Sequence, residues 1–352
     1  MPRFNFFKKF TEWEYWPTYM FYVPNLPYAF YLALKARNFT FYSAVNPSIK
    51  SSGNGTESKF ETLKLIPDHY KPKSVFVPIK RDFESVIKEL HHHGIDYPII
   101  AKPDVGFRGL LVEKIYTDQE LKDYLASHPI TIILQEFIDL PNECGIFYYR
   151  LPNTEKGIIS SLTLKSFLSV TGNGISTLKE LVAFDKRAQH YTKMLSENLK
   201  DSWNETIGKG ETFLLSDIGN HCKGTQFING NHLIDEYLSD TLDVINHKID
   251  GWYYGRLDVK YSSLEELRSG KNLIILEING IISEPTHIYD PYHATYFQAL
   301  RAIRKHWDIV HDIASVNIKN GTKPKNFLEF WNEIKWLKNY IKKVKELTKS
   351  RS

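Results

Sequence analysis

Two cysteines in 352 residues, Cys144 and Cys222, leave no material for a disulfide framework and no spacing that reads as a thiolate metal site. A strong charge of either sign is also missing. Lys and Arg number 45 against 41 Asp and Glu, so the net charge is +4, far from the basic balance of a nucleic-acid binder. The opening MPRFNFFKKF lacks a run of small and aliphatic residues, so no secretory leader is expected. The setting expected is therefore cytoplasmic, and the sequons at Asn38, Asn54, Asn204 and Asn320 read as incidental. No internal repeat is visible, and no G-x-x-x-x-G-K-[ST] run occurs, which excludes a P-loop. One stretch, residues 15–34, has no charge at all. It is long enough to span a bilayer, yet Pro17, Pro24 and Pro27 break any straight helix, and its Tyr and Trp rings suit an interface better than a hydrocarbon core. Two readings stand: a buried edge of an N-terminal lobe, or peripheral membrane contact.

A chain of this length buries a full core and divides into lobes. Residues 1–75 read as an N-terminal substrate or adaptor region ending in the loop Ser51-Ser52-Gly53-Asn54-Gly55-Thr56. Residues 76–150 alternate in type: a helical pattern over 83–93, an apolar strand over 97–102, a helix over 118–128 with Thr117 as N-cap, and a strand over 130–135. Residues 151–316 continue in mixed fashion, with a helix over 177–188 and strands over 252–260 and 272–279. This alternation argues α+β or α/β architecture. Residues 316–326 read as a linker. Beyond it Phe327, Phe330, Ile334, Leu337, Ile341 and Val344 recur at steps of three and four, the mark of an amphipathic helix over 326–352. That segment alone carries a net +4. Such a helix docks on the protein body or lies on an anionic membrane. The run His91-His92-His93 falls at a helix end and reads as solvated.

The chemistry gathers in two short segments, Gly255-Arg256-Leu257-Asp258-Val259-Lys260 and Ile275-Leu276-Glu277-Ile278-Asn279-Gly280. Alternate side chains of a strand share a face, so Arg256 and Asp258 point together, as do Glu277 and Asn279 one strand over. The expected back is apolar, with Leu257, Val259, Leu276 and Ile278. Two carboxylates and an amide suit a hard cation such as Mg²⁺, which keeps substrate phosphates in its shell. Arg256 would sit where negative charge develops. The plainer alternative is a solvated sheet face. Lys102 ends an apolar strand and leads into Asp104-Val105-Gly106-Phe107-Arg108-Gly109, a loop whose glycines allow close approach of backbone to phosphate. Ile132-Ile133-Leu134-Gln135-Glu136-Phe137-Ile138, with Glu143 beyond, is a strand running into polar groups; it reads either as a base-binding hinge or as a core strand with solvated acids. His287 reads as a base, a hydrogen-bond donor or a structural residue, while Asn46, Glu57 and Ser58 lie near Lys59 and are candidates to line an acceptor pocket.

In this order and spacing the segments resemble the ATP-grasp superfamily of carboxylate–amine ligases. "SKFETLKLIP", "YPIIAKPDVGFRG", "GRLDVKY" and "ILEING" look like D-alanine–D-alanine ligases. "VTGNG" with "STLKEL", and "GNHCKGT", are similar to cyanophycin synthetase-type domains. The resemblance covers residues 55–300 and implies an α+β ATP-grasp fold, with two α/β lobes clasping ATP, a divergent N-terminal region and a C-terminal amphipathic helix. It implies catalytic roles for Arg256 and Lys102. Nucleotide contacts would come from Lys59, Lys102, Gly106, Arg108, Gly109, Gln135, Glu136, Phe137, Ile138 and Glu143. Asp258, Glu277 and Asn279 would hold Mg²⁺, commonly two ions in the superfamily, and Lys165 and Asn220 would face phosphate or substrate. The chain departs from those ligases in a shorter phosphate loop, in the run Gly280-Ile281-Ile282-Ser283-Glu284-Pro285-Thr286-His287 after the metal strand, and in its N-terminal region, so D-alanine is not implied as substrate.

The activity so implied joins a small carboxylate to an amine through an acyl phosphate, releasing ADP and phosphate. Two alternatives remain at this level: an ATP-grasp kinase acting on a hydroxyl, and a non-catalytic nucleotide-binding protein peripheral to the membrane. Membrane contact would then run through residues 15–34 and the C-terminal helix.

Overall fold

The computed structural model describes residues 13–107, 109–216, 219–220 and 223–349. Two antiparallel sheets face each other across a cleft. The smaller has the order β1-β4-β2-β3, with β1 Ser74–Val77, β2 Ile99–Pro103, β3 Glu113–Ile115 and β4 Ile132–Glu136. Its back takes helices Phe83–His92 and Asp118–Ser127, and the interface is filled by Val75, Val86, Leu90, Ile99, Leu121 and Leu134. Thr117 caps the second of these helices, as expected, by accepting from Glu120 N at 3.2 Å. The histidine run closes the first as an exposed terminus. Strand alternation places Ile99 and Ala101 in that core and turns Ile100 and Lys102 to the cleft.

The larger sheet has the order β11-β10-β5-β6-β9: β5 Asn142–Tyr149, β6 Ile158–Ser166, β9 Gln226–Asn229, β10 Tyr254–Tyr261 and β11 Leu273–Asn279. Cys144, Ile146, Leu162, Leu257, Val259 and Ile278 line its back, packed on Trp252 and helix Glu236–Asn246. One expected member is elsewhere. A bulge lies between the Asp258↔Glu277 and Val259↔Ile275 pairs and leaves Leu276 without a partner on β10. Ile275 therefore enters the core and Leu276 lines the cleft, because a bulge shifts the side-chain period by one. A small two-stranded antiparallel sheet of β7 (Ser169–Thr171) and β8 (Thr212–Leu214) sits over its own cluster with helix Leu178–Phe184, which lies between the two strands in sequence. That helix is shorter than the span expected from sequence and starts with a Thr177–Glu180 capping box.

The uncharged stretch forms two short helices, Tyr19–Tyr22 and Leu26–Lys35, separated by a 3-10 turn, with a proline in the first positions of the turn and of the second helix. Leu32, Phe41 and Val45 pack against Ile309, Ile313 and Ala314 of helix Tyr296–Lys319. The expected linker is shortened accordingly, since this helix continues through Lys319. Helix Phe327–Lys349 follows. Its Val344 enters the small-lobe core with Tyr340 and Leu347 beside it, and Glu333 accepts from Ser51 Oγ at 2.6 Å and pairs with Lys325. The inner part of the amphipathic face is thus spent on the protein body, while Phe327 at its start stays exposed. Among the described residues no helix is long and apolar enough to cross a membrane.

Candidate active site

The cleft face of the large sheet is built row by row across the strands. Arg256 pairs with Asn279 and Phe147; Asp258 pairs with Glu277 and Gly145; Lys260 pairs with Glu143, which in turn pairs with Lys165. Paired residues of an antiparallel ladder share a face. The alternation read from the sequence therefore holds, and Arg256, Asp258, Glu277 and Asn279 do converge. Arg256 donates to Asp258 from Nε at 3.2 Å and from Nη2 at 3.1 Å, and from Nη1 to the Glu284 carbonyl at 3.3 Å. Asn279 Nδ2 donates to Asp258 Oδ2 and Glu277 Oε1, both at 3.1 Å.

Lysines complete the centre from three directions. Lys59, at the first position of helix Lys59–Lys64, ion-pairs with Glu277. Burial alone would raise the Glu277 carboxyl, but the Lys59 and Lys102 charges overcome it and hold it well below the usual range. Lys165, from β6, donates to Glu143 at 2.6 Å and Asp258 at 2.9 Å with all three side chains buried. Lys102 enters from the small lobe and donates to an amide, Gln135 Oε1 at 3.0 Å. Burial, partly offset by the Glu277 charge, pushes its ammonium down to about 8. Asp104 fixes the distance between lobes: its side chain accepts from Ser58 Oγ at 2.8 Å and Phe60 N at 3.0 Å, and its carbonyl accepts from Lys59 N at 3.0 Å.

The candidate hinge, the segment that follows β4, lies where the two sheets meet. Phe137 has Lys114 Nζ 3.6 Å from its ring centroid and Lys260 Nζ at 5.3 Å, and Lys260 also donates to the Ile138 carbonyl at 2.9 Å. The Glu136 carboxylate turns away to accept from Lys73 N at 2.6 Å. Ile100, Val112 and Leu276 supply apolar walls. On the opposite side the loop after Lys50 passes very close to the end of β11. Ile281 N and Ile282 N donate to the Ser52 and Gly53 carbonyls, each at 3.0 Å, and a Cβ on Gly53, whose φ is +79°, would lie 2.6 Å from Gly280 Cα. Only a glycine pair permits that approach.

One cavity of about 1770 Å³ contains Lys59, Lys102, Gly106, Gly109, Gln135, Glu136, Phe137, Ile138, Glu143, Arg256, Asp258, Glu277 and Asn279 in its lining. Lys165 and Asn220 line it as well. Arg108 and Cys222 lie outside the described residues. Glu57 lines it too, its carboxyl raised by burial. Two neighbours of Lys59 that were candidates for the acceptor pocket serve the scaffold instead. Ser58 caps helix Lys59–Lys64. Asn46 splints three backbone segments, donating to the Ser52 and Tyr254 carbonyls and accepting from Tyr253 N and Tyr254 N. Lys114 and Lys260 escape a reading of the sequence, since lone lysines on strands look like ordinary surface charge until the hinge aromatic between them is in place.

Among solved structures the chain is similar to a VanG D-Ala:D-Ser ligase from Enterococcus faecalis at 14% identity and a TM-score of 0.43, over 76% of this chain and 64% of that one. A bifunctional glutathione synthetase from Pasteurella multocida matches at 14% identity and a TM-score of 0.37, over 71% of this chain and 35% of that one. A D-alanine–D-alanine ligase from Bacillus anthracis, complexed with ATP, matches at 12% identity and a TM-score of 0.41, over 75% and 68%. The chain thus spans less than two thirds of the first and about a third of the second. No family model matches the sequence, and no curated protein does. Overlap of this extent carries no substrate across; the chemistry has to come from the cleft's own residues.

Proposed function

We propose that this chain is an ATP- and Mg²⁺-dependent ligase that joins a carboxylate to an amine through an acyl phosphate. The observation that carries the reading is the convergence, in one inter-lobe cleft, of Lys59, Lys102 and Arg256 with Asp258, Glu277 and Asn279. Adenine would lie at residues 135–138, and Glu143, already held by Lys165, would accept from the ribose. Lys59 and Lys102 would meet the phosphates, with the loop around Gly106 and Gly109 folding over them.

The donor set fits a hard cation. Asn279 already touches both carboxylates through its amide nitrogen at 3.1 Å. Turning that amide over brings its oxygen to the same place, giving three oxygen ligands. Among the described residues no three His, Cys, Asp or Glu side chains form a closed metal site, so phosphate oxygens would complete the shell. A Mg²⁺ ion held by Asp258, Glu277 and Asn279 would neutralise charge on the phosphoryl group in transfer. A carboxylate oxygen of the substrate attacks the γ-phosphorus of ATP, the bond to the β-phosphate oxygen breaks, and ADP leaves. The amine nitrogen then attacks the acyl carbon. Arg256 stabilises the oxyanion, the carbon–oxygen bond to phosphate breaks, and one proton passes from nitrogen to solvent.

Hydroxylamine trapping tests this. With ATP, Mg²⁺, hydroxylamine and a panel of carboxylates, matched hydroxamate and ADP are expected. ADP without hydroxamate, dependent on an added alcohol, would replace the ligase with a kinase.

A further inference from the structure

The cavity does not stop at the reacting centre. About 1770 Å³ is more than the 300–1,000 Å³ of an ordinary small-ligand pocket. Along the large sheet the cleft face changes character. The Lys260 and Asp258 rows are charged; the same face then carries Phe147, buried level with Arg256, and past Arg256 presents Tyr254 to the cavity. An arm of the cavity continues there between the N-terminal helices and helix Tyr296–Lys319, walled by Tyr22, Leu32, Ala33, Trp307 and Val310. It reaches Leu26, Phe30 and Phe39, which are 54%, 56% and 53% exposed. Tyr254 OH lies 3.1 Å from the buried His306 Nδ1, and burial keeps that imidazole neutral, so this pair adds no charge to the floor. Residues 15–45 hold two cations, Lys35 and Arg37, and no acid; the two carboxylates nearest this stretch in the lining are already engaged, Glu14 by Arg187 at 2.7 Å and Glu284 by Tyr289 Oη at 2.8 Å.

Where the arm joins the charged half sits an unsatisfied group. Thr286 is 6% exposed and lines the cavity, and its Oγ1 is buried with no hydrogen-bond partner among the described residues. It faces the bare side of Gly145: a Cβ there would lie 3.1 Å from Arg256 Cδ, 3.5 Å from Thr286 Oγ1 and 3.6 Å from Asp258 Oδ1. A buried hydroxyl without a partner costs free energy until a ligand supplies one.

We propose that the arm binds the aliphatic tail of an amphiphilic carboxylate, whose polar end takes a hydrogen bond from Thr286 and is the group activated beside Arg256. The inference rests on the ligase reading for the fate of that carboxylate, but not for binding. The probe is 11-(dansylamino)undecanoic acid, displaced by saturated C8, C10, C12 and C14 carboxylates; mant-ATP binding is measured on the same samples. Competitor affinity is expected to rise about threefold to fourfold per methylene, the factor that ~0.8 kcal/mol per buried CH₂ gives, until the arm is full. Ala33→Trp should cut probe affinity at least tenfold by filling the arm. Phe30→Asp, at an exposed position that leaves the fold intact, should do so severalfold, and both should leave mant-ATP binding unchanged. No probe binding, no dependence on chain length, or indifference to both variants would overturn the proposal even if ATP is turned over. A chain-length series with no ADP formed would sustain the arm and count against the ligase.

Discussion

Two buried lysines in one cleft have opposite electrostatic fates. Lys165, on the large sheet, is wedged between Glu143 and Asp258; burial would push its ammonium down, but the two carboxylates push it up. Lys102, on the small sheet, is as deeply buried but has an amide for its nearest partner, and falls to about 8. The same side chain in the same degree of burial is stabilised or strained by whether a carboxylate is built in within hydrogen-bond reach. Lys165 belongs to the resting structure. Lys102 feels the Glu277 charge but hydrogen-bonds no carboxylate, and on the ligase reading a phosphate would supply the missing anion.

The largest effects that would break this contrast are catalytic. Arg256→Lys should lower the rate of hydroxamate formation by about 10²–10³, the cost of losing one oriented oxyanion donor. Glu277→Ala should abolish turnover, and near wild-type ADP release in that variant would remove Glu277 from the proposed metal site.

Next come the lysines themselves. Lys165→Met leaves Glu143 and Asp258 buried without their shared cation and should cost about 3–5 kcal/mol in urea unfolding. Lys102→Met removes an ammonium already disfavoured where it sits. It should leave the unfolding midpoint close to wild type while weakening mant-ATP affinity on the order of tenfold to a hundredfold, the loss of one charge-assisted phosphate contact. Equal stability losses in the two variants would erase the distinction.

The pH dependence sharpens it. A folded-state value of about 8, below the ordinary lysine value, means that folding costs stability at pH below 8 and that the cost is relieved as pH rises through 8 toward the unfolded value. Phosphate works the other way: it favours the ammonium, so ATP binding takes up a proton above pH 8 and affinity should fall as pH rises from about 7.5 to 9.5. The fall should vanish in Lys102→Met and persist in Lys165→Met; titrations of mant-ATP across that range check it. Smallest of all, Thr177→Ala removes a capping box on a helix remote from both lysines and should cost about 1 kcal/mol without moving nucleotide affinity.

Much of the site is legible in the sequence, because a strand has a strict period of two. Arg256-x-Asp258 and Glu277-x-Asn279 need only be strands for their polar groups to share a face, and Thr117, Thr177 and the proline-interrupted 15–34 stretch mark helix boundaries by local chemistry. Leu276 falls on the other side from the one its alternation implies, because a bulge is a property of two paired strands, and one strand read alone does not contain it. Lys114 and Lys260 are illegible for a related reason: their meaning comes from Phe137, which stands in another strand's extension.

Local sequence, then, determined the elements, the faces of the strands that carry the proposed site and the identity of the polar groups, since those follow from periodicity and capping over a few residues. Only the tertiary structure decided which lysine is paired and which is strained, how the prolines' short helices close an apolar arm over the sheet, and that the C-terminal helix covers the small lobe. Those outcomes depend on burial and on partners far away along the chain, and free energies of desolvation and pairing exist only once such residues are brought together.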